Sequence, residues 1–182
     1  MDEKRTVKTS KMLSRILRHE PGRVGITLDA AGWVRVDVLL GALAARGTRL
    51  TRAELDHVVA TNNKRRFAFS PDGLSIRASQ GHTVAVDLGL TATEPPPVLF
   101  HGTATRSLAA ILQEGLLPMA RRDVHLSADA ETATRVGARH GRPVVLLVDA
   151  AAMAAAGHEF RVSDNGVWLT DAVPPEYLSQ GH

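Results

Sequence analysis

Arginine and histidine crowd the ends of the elements this sequence would build. Arg18-His19 closes an amphipathic run, and Lys64-Arg65-Arg66 leads into a Phe-containing segment. Gln80-Gly81-His82-Thr83 follows a hairpin, His101-Gly102-Thr103 ends an apolar stretch, and Arg121-Arg122 precedes Val124-His125-Leu126-Ser127. A guanidinium is a planar, permanently charged fork that fits phosphate, and histidine moves protons near neutral pH. A set rich in these two types and poor in paired carboxylates suits phosphate chemistry better than glycoside or peptide hydrolysis. The sequence has no glycine-rich loop ending in Lys-Ser/Thr and no three-glycine dinucleotide fingerprint. It also lacks His-Glu-x-x-His and Gly-x-Ser-x-Gly. There is no cysteine, which removes disulfides, thiolate metal sites and thiol nucleophiles. No metal site is expected.

Taken singly, each of these residues has an ordinary structural account. Arg18 and His19 would complement a helix dipole at its C-terminus. Lys64, Arg65 and Arg66 would form a solvated charge run. His82 and His101 would be loop residues satisfied by backbone groups, and Gly102 would make a turn.

The elements that must position these residues are legible in part. Met12, Leu13, Ile16 and Leu17 form a helical stripe over 9–19, with Lys11, Arg15 and Arg18 on the other side. Glu20-Pro21-Gly22 stops that helix. Residues 26–28 and 33–36 flank Asp29-Ala30-Ala31-Gly32, which predicts a hairpin or short extended pair. Helices follow over 37–45 and, behind the capping box Thr51-Arg52-Ala53-Glu54, through Val59. Strands over 66–70 and 74–77 flank Pro71-Asp72-Gly73. Helices followed by a hairpin on a basic stretch read as a winged-helix-like module. Farther on, strands are expected at 98–100, 124–126, 144–148, 160–162 and 167–169. Helices are expected through Leu108 to Leu112 and over 130–138, with a turn or two at 150–156. The class is α+β.

Glu94-Pro95-Pro96-Pro97 cannot lie inside a helix or central strand, so residues 91–97 read as a semi-rigid linker. The expected organisation is a lobe over 1–90 and a lobe over 98–182 of the 182 residues. Residues 1–91 carry 15 Lys/Arg against 9 Asp/Glu, net +6, and residues 92–182 carry 7 against 10, net −3. That asymmetry suits a first half that meets a polyanion and a second half with another task. Apolar residues make up 44% and charged residues 23%, which excludes wholesale disorder. The longest aliphatic run, Val144 to Val148, is far below the roughly 20 residues of a membrane span. No secretory signal is visible near Met1, so a cytoplasmic protein is expected.

Read together, five motifs occur in order. They are Ser10-Lys11-x-Leu13-Ser14-x-x-Leu17-Arg18-His19, Lys64-x-Arg66-Phe67, Gln80-Gly81-His82, His101-Gly102-Thr103 and Arg121-x-x-Val124-His125-Leu126-Ser127. In this order the chain resembles the NAD-dependent RNA 2′-phosphotransferases over nearly its whole length. The resemblance implies a winged-helix-like RNA lobe followed by a lobe of the ADP-ribosyltransferase fold. It implies that an internal RNA 2′-phosphate attacks NAD, releasing nicotinamide. The ADP-ribosylated RNA then resolves to a 2′-OH and ADP-ribose 1″,2″-cyclic phosphate. The family's essential quartet falls on Arg18, His19, Arg66 and Arg121. The first three are implied at the RNA phosphate, with His19 in acid–base work, and Arg121 joins them. His101, Gly102, Thr103, His125 and Ser127 are implied at NAD, with His125 where many relatives place a tyrosine against nicotinamide. Lys11, Gln80, Gly81 and His82 are implied near the RNA.

The position near Val167 is aliphatic where protein-modifying ADP-ribosyltransferases carry glutamate, which fits an acceptor that is already anionic. Family members often have histidine two residues after the second-lobe arginine, whereas this chain has Asp123. A carboxylate beside a phosphate site is unfavourable unless it points away or pairs with Arg121 or Arg122. The expected partners are NAD as co-substrate and RNA with an internal 2′-phosphate, acted on by a monomer without a membrane. Two other readings are carried forward. One is an ADP-ribosyltransferase acting on nucleic-acid terminal phosphates. The other is a non-enzymatic winged-helix regulator that senses NAD or ADP-ribose.

Overall fold

A computed structural model describes residues 1–181, and the chain divides into two units, Met1–Gly89 and Leu90–His182. Helix α1 spans Glu3–Arg18 and so begins six residues before the apolar stripe predicts. Asp2 is the reason: its side chain accepts the Arg5 N–H at 2.7 Å, capping a first turn that also carries Glu3. The stripe marks only the buried part, Leu13, Ile16 and Leu17. His19 is the C-cap, and a 3-10 turn over Pro21–Val24 follows.

Of the hairpin or short extended pair expected over 26–36, no strand ladder between the two segments forms. Asp29 Oδ1 accepts the N–H groups of Ala31 and Trp33, both at 2.9 Å, and the Asp29 N–H bonds the Trp33 carbonyl at 2.9 Å, so the turn closes without a strand ladder. Only Val34–Arg35 is extended, as β1. Helix α2 spans Val36–Ala44 and α3 spans Arg52–Ala60, with both capping-box bonds between Thr51 and Glu54 made. Strands β2, Phe67–Phe69, and β3, Ser75–Ala78, pair antiparallel across the Pro71-Asp72-Gly73 turn. Strand β1 joins the far edge of β3, giving the order β1-β3-β2. Leu13, Ile16 and Leu17 pack with Leu39, Leu43, Leu55, Val58 and Ile76 in an almost wholly aliphatic core.

The second unit opens with β4, Val98–Ala104, followed by α4, Thr105–Glu114. Then come β5, Val124–Leu126, α5, Ala130–Gly137, β6, Pro143–Asp149, and α6, Ala150–Ala155. Strands β7, Arg161–Val162, β8, Trp168–Thr170, and β9, Leu178–Gln180, complete it. Two three-stranded sheets form, β4-β6-β9 and β5-β8-β7. Phe100 and Ser127 exchange backbone bonds of 2.9 and 2.7 Å and so stitch one sheet to the other.

Strand β4 runs four residues past its expected end because Val98 to Ala104 pair one by one with Asp149 back to Pro143. His101-Gly102-Thr103 is therefore mid-strand and not a turn. Strand β9 was not expected, since Leu178-Ser179-Gln180 has too little apolar pattern to announce itself; β6 recruits it as an edge. Residues 91–97 hold neither helix nor strand. The Thr93 N–H bonds the Phe160 carbonyl at 2.7 Å, and the Pro97 carbonyl accepts from Ala151, so this segment is tied to the second unit. Among the described residues no helix is long and apolar enough to cross a membrane.

Candidate active site

In the first unit the site residues gather on the strip that leaves β3. Arg18 lies in the last turn of α1, and His19 caps it. The strip grips both. Thr83 N–H donates to the Arg18 carbonyl at 2.9 Å, and Thr83 Oγ1 lies 3.0 Å from His19 Nδ1. Gly81, at φ +85°, turns the strip so closely past Arg18 that a Cβ there would lie 3.7 Å from the guanidinium carbon. A side chain at that φ would be strained, so glycine is what lets the strip follow the arginine. Four residues before Thr83, Ser79 N–H bonds the Arg66 carbonyl at 2.9 Å, and Ser79 Oγ bonds the Arg65 carbonyl at 2.7 Å. One strip, at points four residues apart, is thus bonded to the backbones of both Arg66 and Arg18. Asn62 bridges the preceding loop to α1 through Ser10 Oγ at 2.9 Å. Lys11 and Lys64 are exposed.

His82 is placed differently from the expectation that it meets RNA. It is buried, 4% exposed, and its Nε2 has no hydrogen-bond partner. It lies behind the strip, where Gly32 leaves room for it: a Cβ on Gly32 would stand 3.3 Å from Nε2. Burial first, and then the nearby charges of Arg18, His19 and Arg77, push its pKa down from 6.5 to about 4. The side chain is thus a neutral anchor for the strip.

That anchor has a pH consequence. Unfolding returns His82 to its ordinary value near 6.5, so between pH 6.5 and 4 the unfolded chain binds the extra proton. Its contribution to stability is complete above pH 6.5 and is lost as the pH falls towards 4, to a limit of about 3 kcal/mol. His101, also lowered by burial, acts in the same direction. Urea titrations from pH 7 to pH 4 should show wild-type stability falling with acid and a shallower fall in His82→Gln. Equal slopes in the two chains would show that His82 is not the group responsible.

In the second unit β4 presents alternate faces. Gly102 shares a face with Phe100 and Ala104, against α5, while His101 and Thr103 share the other. A Cβ on Gly102 would fall 1.7 Å from the Ala133 carbonyl oxygen and 2.9 Å from Gly137 N. Gly102 is therefore the place where α5 lies down on the sheet, a packing role that the sequence did not announce. A hollow of about 770 Å³ bounded by Phe100, Thr134, Val145 and Leu147 opens on this α5 face, away from His101.

His101 Nδ1 lies 3.0 Å from the His125 carbonyl oxygen. That oxygen can only accept, so Nδ1 carries the hydrogen. Burial, the largest influence, lowers the His101 pKa despite that bond. The neutral ring therefore keeps a lone pair on Nε2. Arg121 Nη1 donates to His125 Nδ1 at 2.8 Å. Arg121 is exposed as a residue, yet its guanidinium is partly desolvated and feels Arg139, which lowers its pKa; arginine stays charged regardless. His125 therefore links Arg121 to His101, a role its proposed nicotinamide contact did not foretell. Ser127 supplies the backbone stitch to Phe100.

Asp123 pairs with neither Arg121 nor Arg122. Its Oδ1 accepts from Arg161 at 3.0 Å, and Arg161 also holds Asp171 at 2.8 Å. Burial raises the Asp123 pKa while Arg161 opposes the rise. The carboxylate is thus engaged in an ion pair within the β5-β8-β7 sheet region. Among the described residues no group of three or more His, Cys, Asp or Glu could hold a metal ion.

The order of the motifs and this geometry can be set beside known proteins. The profile of the RNA 2′-phosphotransferase, Tpt1/KptA family matches residues 4–172. The chain belongs to that family. A probable RNA 2′-phosphotransferase of Streptomyces griseus is 63% identical, with 98% of each chain covered. One from Streptomyces coelicolor is 64% identical over 98% of this chain and 97% of its own. One from Agrobacterium fabrum is 58% identical over 94% and 92%. The RNA 2′-phosphotransferase relatives thus match this chain across both units, from α1 to the last strands.

Thr83 is a contact to which sequence reading gave no role. Its one signal there is a hydroxyl directly after Gln80-Gly81-His82, which says nothing of a partner 64 residues away.

Proposed function

We propose that this chain removes an internal 2′-phosphate from RNA by transferring it to NAD. The observation that carries this reading is the link from Arg121 through His125 to His101. It joins a fixed positive charge in the loop before β5 to a neutral imidazole lone pair on β4. The Nε2 lone pair of His101 and the Thr103 hydroxyl on the same strand face suit a ribose diol, and Arg121 suits a phosphate. NAD supplies the sugar carbon and the leaving nicotinamide. The first unit, with the order α1-β1-α2-α3-β2-β3 and net charge +6 over residues 1–91, is read as a winged-helix-like RNA lobe. The second is read as an ADP-ribosyltransferase-like lobe.

In the first step an oxygen of the RNA 2′-phosphate bonds the ribose carbon, and the bond to nicotinamide breaks with its electron pair leaving on the base. The nucleophile is already an anion, so placement matters more than a strong base. Arg18 and Arg66 are the groups that hold it. In the second step the neighbouring ribose hydroxyl attacks phosphorus and the bond to the RNA 2′-oxygen breaks. The hydroxyl gives up a proton, and the 2′-oxygen gains one. Arg66 neutralises the transferring phosphoryl group, and His19 handles the protons.

The test is incubation with NAD and a short RNA bearing one internal 2′-phosphate, with products resolved by mass spectrometry. A 2′-OH RNA with ADP-ribose cyclic phosphate supports the reading. RNA that stops as an ADP-ribose adduct favours a terminal ADP-ribosyltransferase instead, and unchanged RNA favours the regulator.

The two halves of the site should fail differently. His101→Ala should suppress the first step, so that neither adduct nor product appears. Arg66→Ala should slow the whole reaction but let ADP-ribosylated RNA accumulate, because the charge demand of phosphoryl transfer belongs to the second step. A single-turnover time course resolving substrate, adduct and product reads both. Adduct accumulating in His101→Ala and never in Arg66→Ala would reverse the assignment.

A further inference from the structure

Thr83 makes two bonds to two consecutive site residues. Its N–H holds the Arg18 carbonyl at 2.9 Å, which fixes the end of α1. Its hydroxyl meets His19 Nδ1 at 3.0 Å. His19 is the C-cap, at φ −127° and ψ −43°, so it lies outside the helix and its ring is not oriented by the helix ladder. Both His19 and Thr83 are exposed, so hydrophobic packing does not orient the ring either. A half-turn about the terminal torsion of an imidazole swaps Nδ1 with Cδ2 and Nε2 with Cε1, and so redirects both nitrogens. The Thr83 hydroxyl is a contact that favours one sense.

We propose that Thr83 is a positioning residue for His19: its hydroxyl engages Nδ1 and so directs Nε2 to the RNA 2′-phosphate and its departing oxygen. The inference rests on the 2′-phosphotransferase reading above. Threonine suits the task because a hydroxyl donates to a bare Nδ1 and accepts from a protonated one. It therefore holds the same ring orientation before and after His19 takes or gives a proton. Its own position is fixed from behind, by the buried His82 and by the turn at Gly81.

The experiment compares wild type, Thr83→Val and Thr83→Ser on the RNA with one internal 2′-phosphate, each alone and combined with His19→Ala. Valine keeps the shape and the backbone N–H but loses the hydroxyl. We expect kcat to fall about tenfold in Thr83→Val with the KM for NAD unchanged, the effect of one lost net hydrogen bond. Thr83→Ser should return to within about threefold of wild type. In the His19→Ala background, Thr83→Val should cost nothing further, since partners acting through one another are not additive. Long-range proton–nitrogen NMR of the His19 ring needs no turnover, and should show Nδ1 moving in Thr83→Val and not in Thr83→Ser. Thermal melting of each variant separates a loss of fold from a loss of orientation. A Thr83→Val chain that turns over like an active wild type would overturn this inference alone. So would an additive loss beside His19→Ala. A well-folded wild type inactive on this RNA would overturn the underlying reaction reading, and this role with it.

Discussion

Arg18→Ala should lower single-turnover formation of 2′-OH RNA by a hundred- to a thousandfold while the chain stays folded. The size follows from the loss of one charge-assisted contact at a developing phosphoryl charge, about 2.7–4 kcal/mol. The retained fold follows from where Arg18 sits. It is half-buried in the last turn of α1, outside the aliphatic core built on Leu13, Ile16 and Leu17. The bond from Thr83 N–H goes to its backbone carbonyl, which alanine keeps. Arg18→Lys should recover only part of the rate, because an ammonium is a point charge and cannot make the two parallel bonds of a guanidinium fork. Rates on the 2′-phosphorylated RNA and melting curves check both halves of the claim. Near-wild-type turnover in Arg18→Ala would remove the end of α1 from the mechanism.

Gly102→Val should act through the fold. The added Cβ falls 1.7 Å from the Ala133 carbonyl, which is backbone and cannot rotate aside. Either α5 lifts from β4 or β4 loses its pairing with β6. The facing Gly137 leaves no slack, since a Cβ there would already come within 2.6 Å of the Thr103 carbonyl. Overpacking of cores costs about 1–3 kcal/mol and occasionally more; a backbone collision places this variant at or above the top of that range. Urea denaturation should show the loss, and NAD use should fall with it, because His101 and Thr103 flank Gly102 on the same strand. Gly102→Ala brings the same first atom and should also destabilise. Stability within about 0.5 kcal/mol of wild type in Gly102→Ala would contradict the close approach.

The contrast between Gly102 and Thr51 shows where sequence reading reaches and where it stops. Thr51 and Glu54 announce a helix start because the two bonds of the capping box join residues three apart. The Pro71-Asp72-Gly73 turn and the Val124–Leu126 strand are legible for the same reason, since each depends on neighbours within a few residues. Gly102 looked like a turn or a cofactor contact because its reason for being glycine lies on a helix some 30 residues later, at Ala133. Strand β9 escaped notice because an edge strand is stabilised by the partner it joins, here β6, more than by its own three residues.

The candidate site divides along the same line. Residue types showed a surplus of arginine and histidine and a basic first half, and the family resemblance pointed to Arg18, His19, Arg66 and Arg121, since charge and donor chemistry belong to the side chain wherever it sits. Tertiary structure settled the surroundings of several neighbouring groups. His82 became a buried anchor, Asp123 found Arg161 across 38 residues, and Thr83 met His19 across 64. A chain's local chemistry is written within one helical turn or one hairpin. Burial, tautomer and ion pairing depend on contacts that exist only after distant segments have packed, so no window of the sequence contains them.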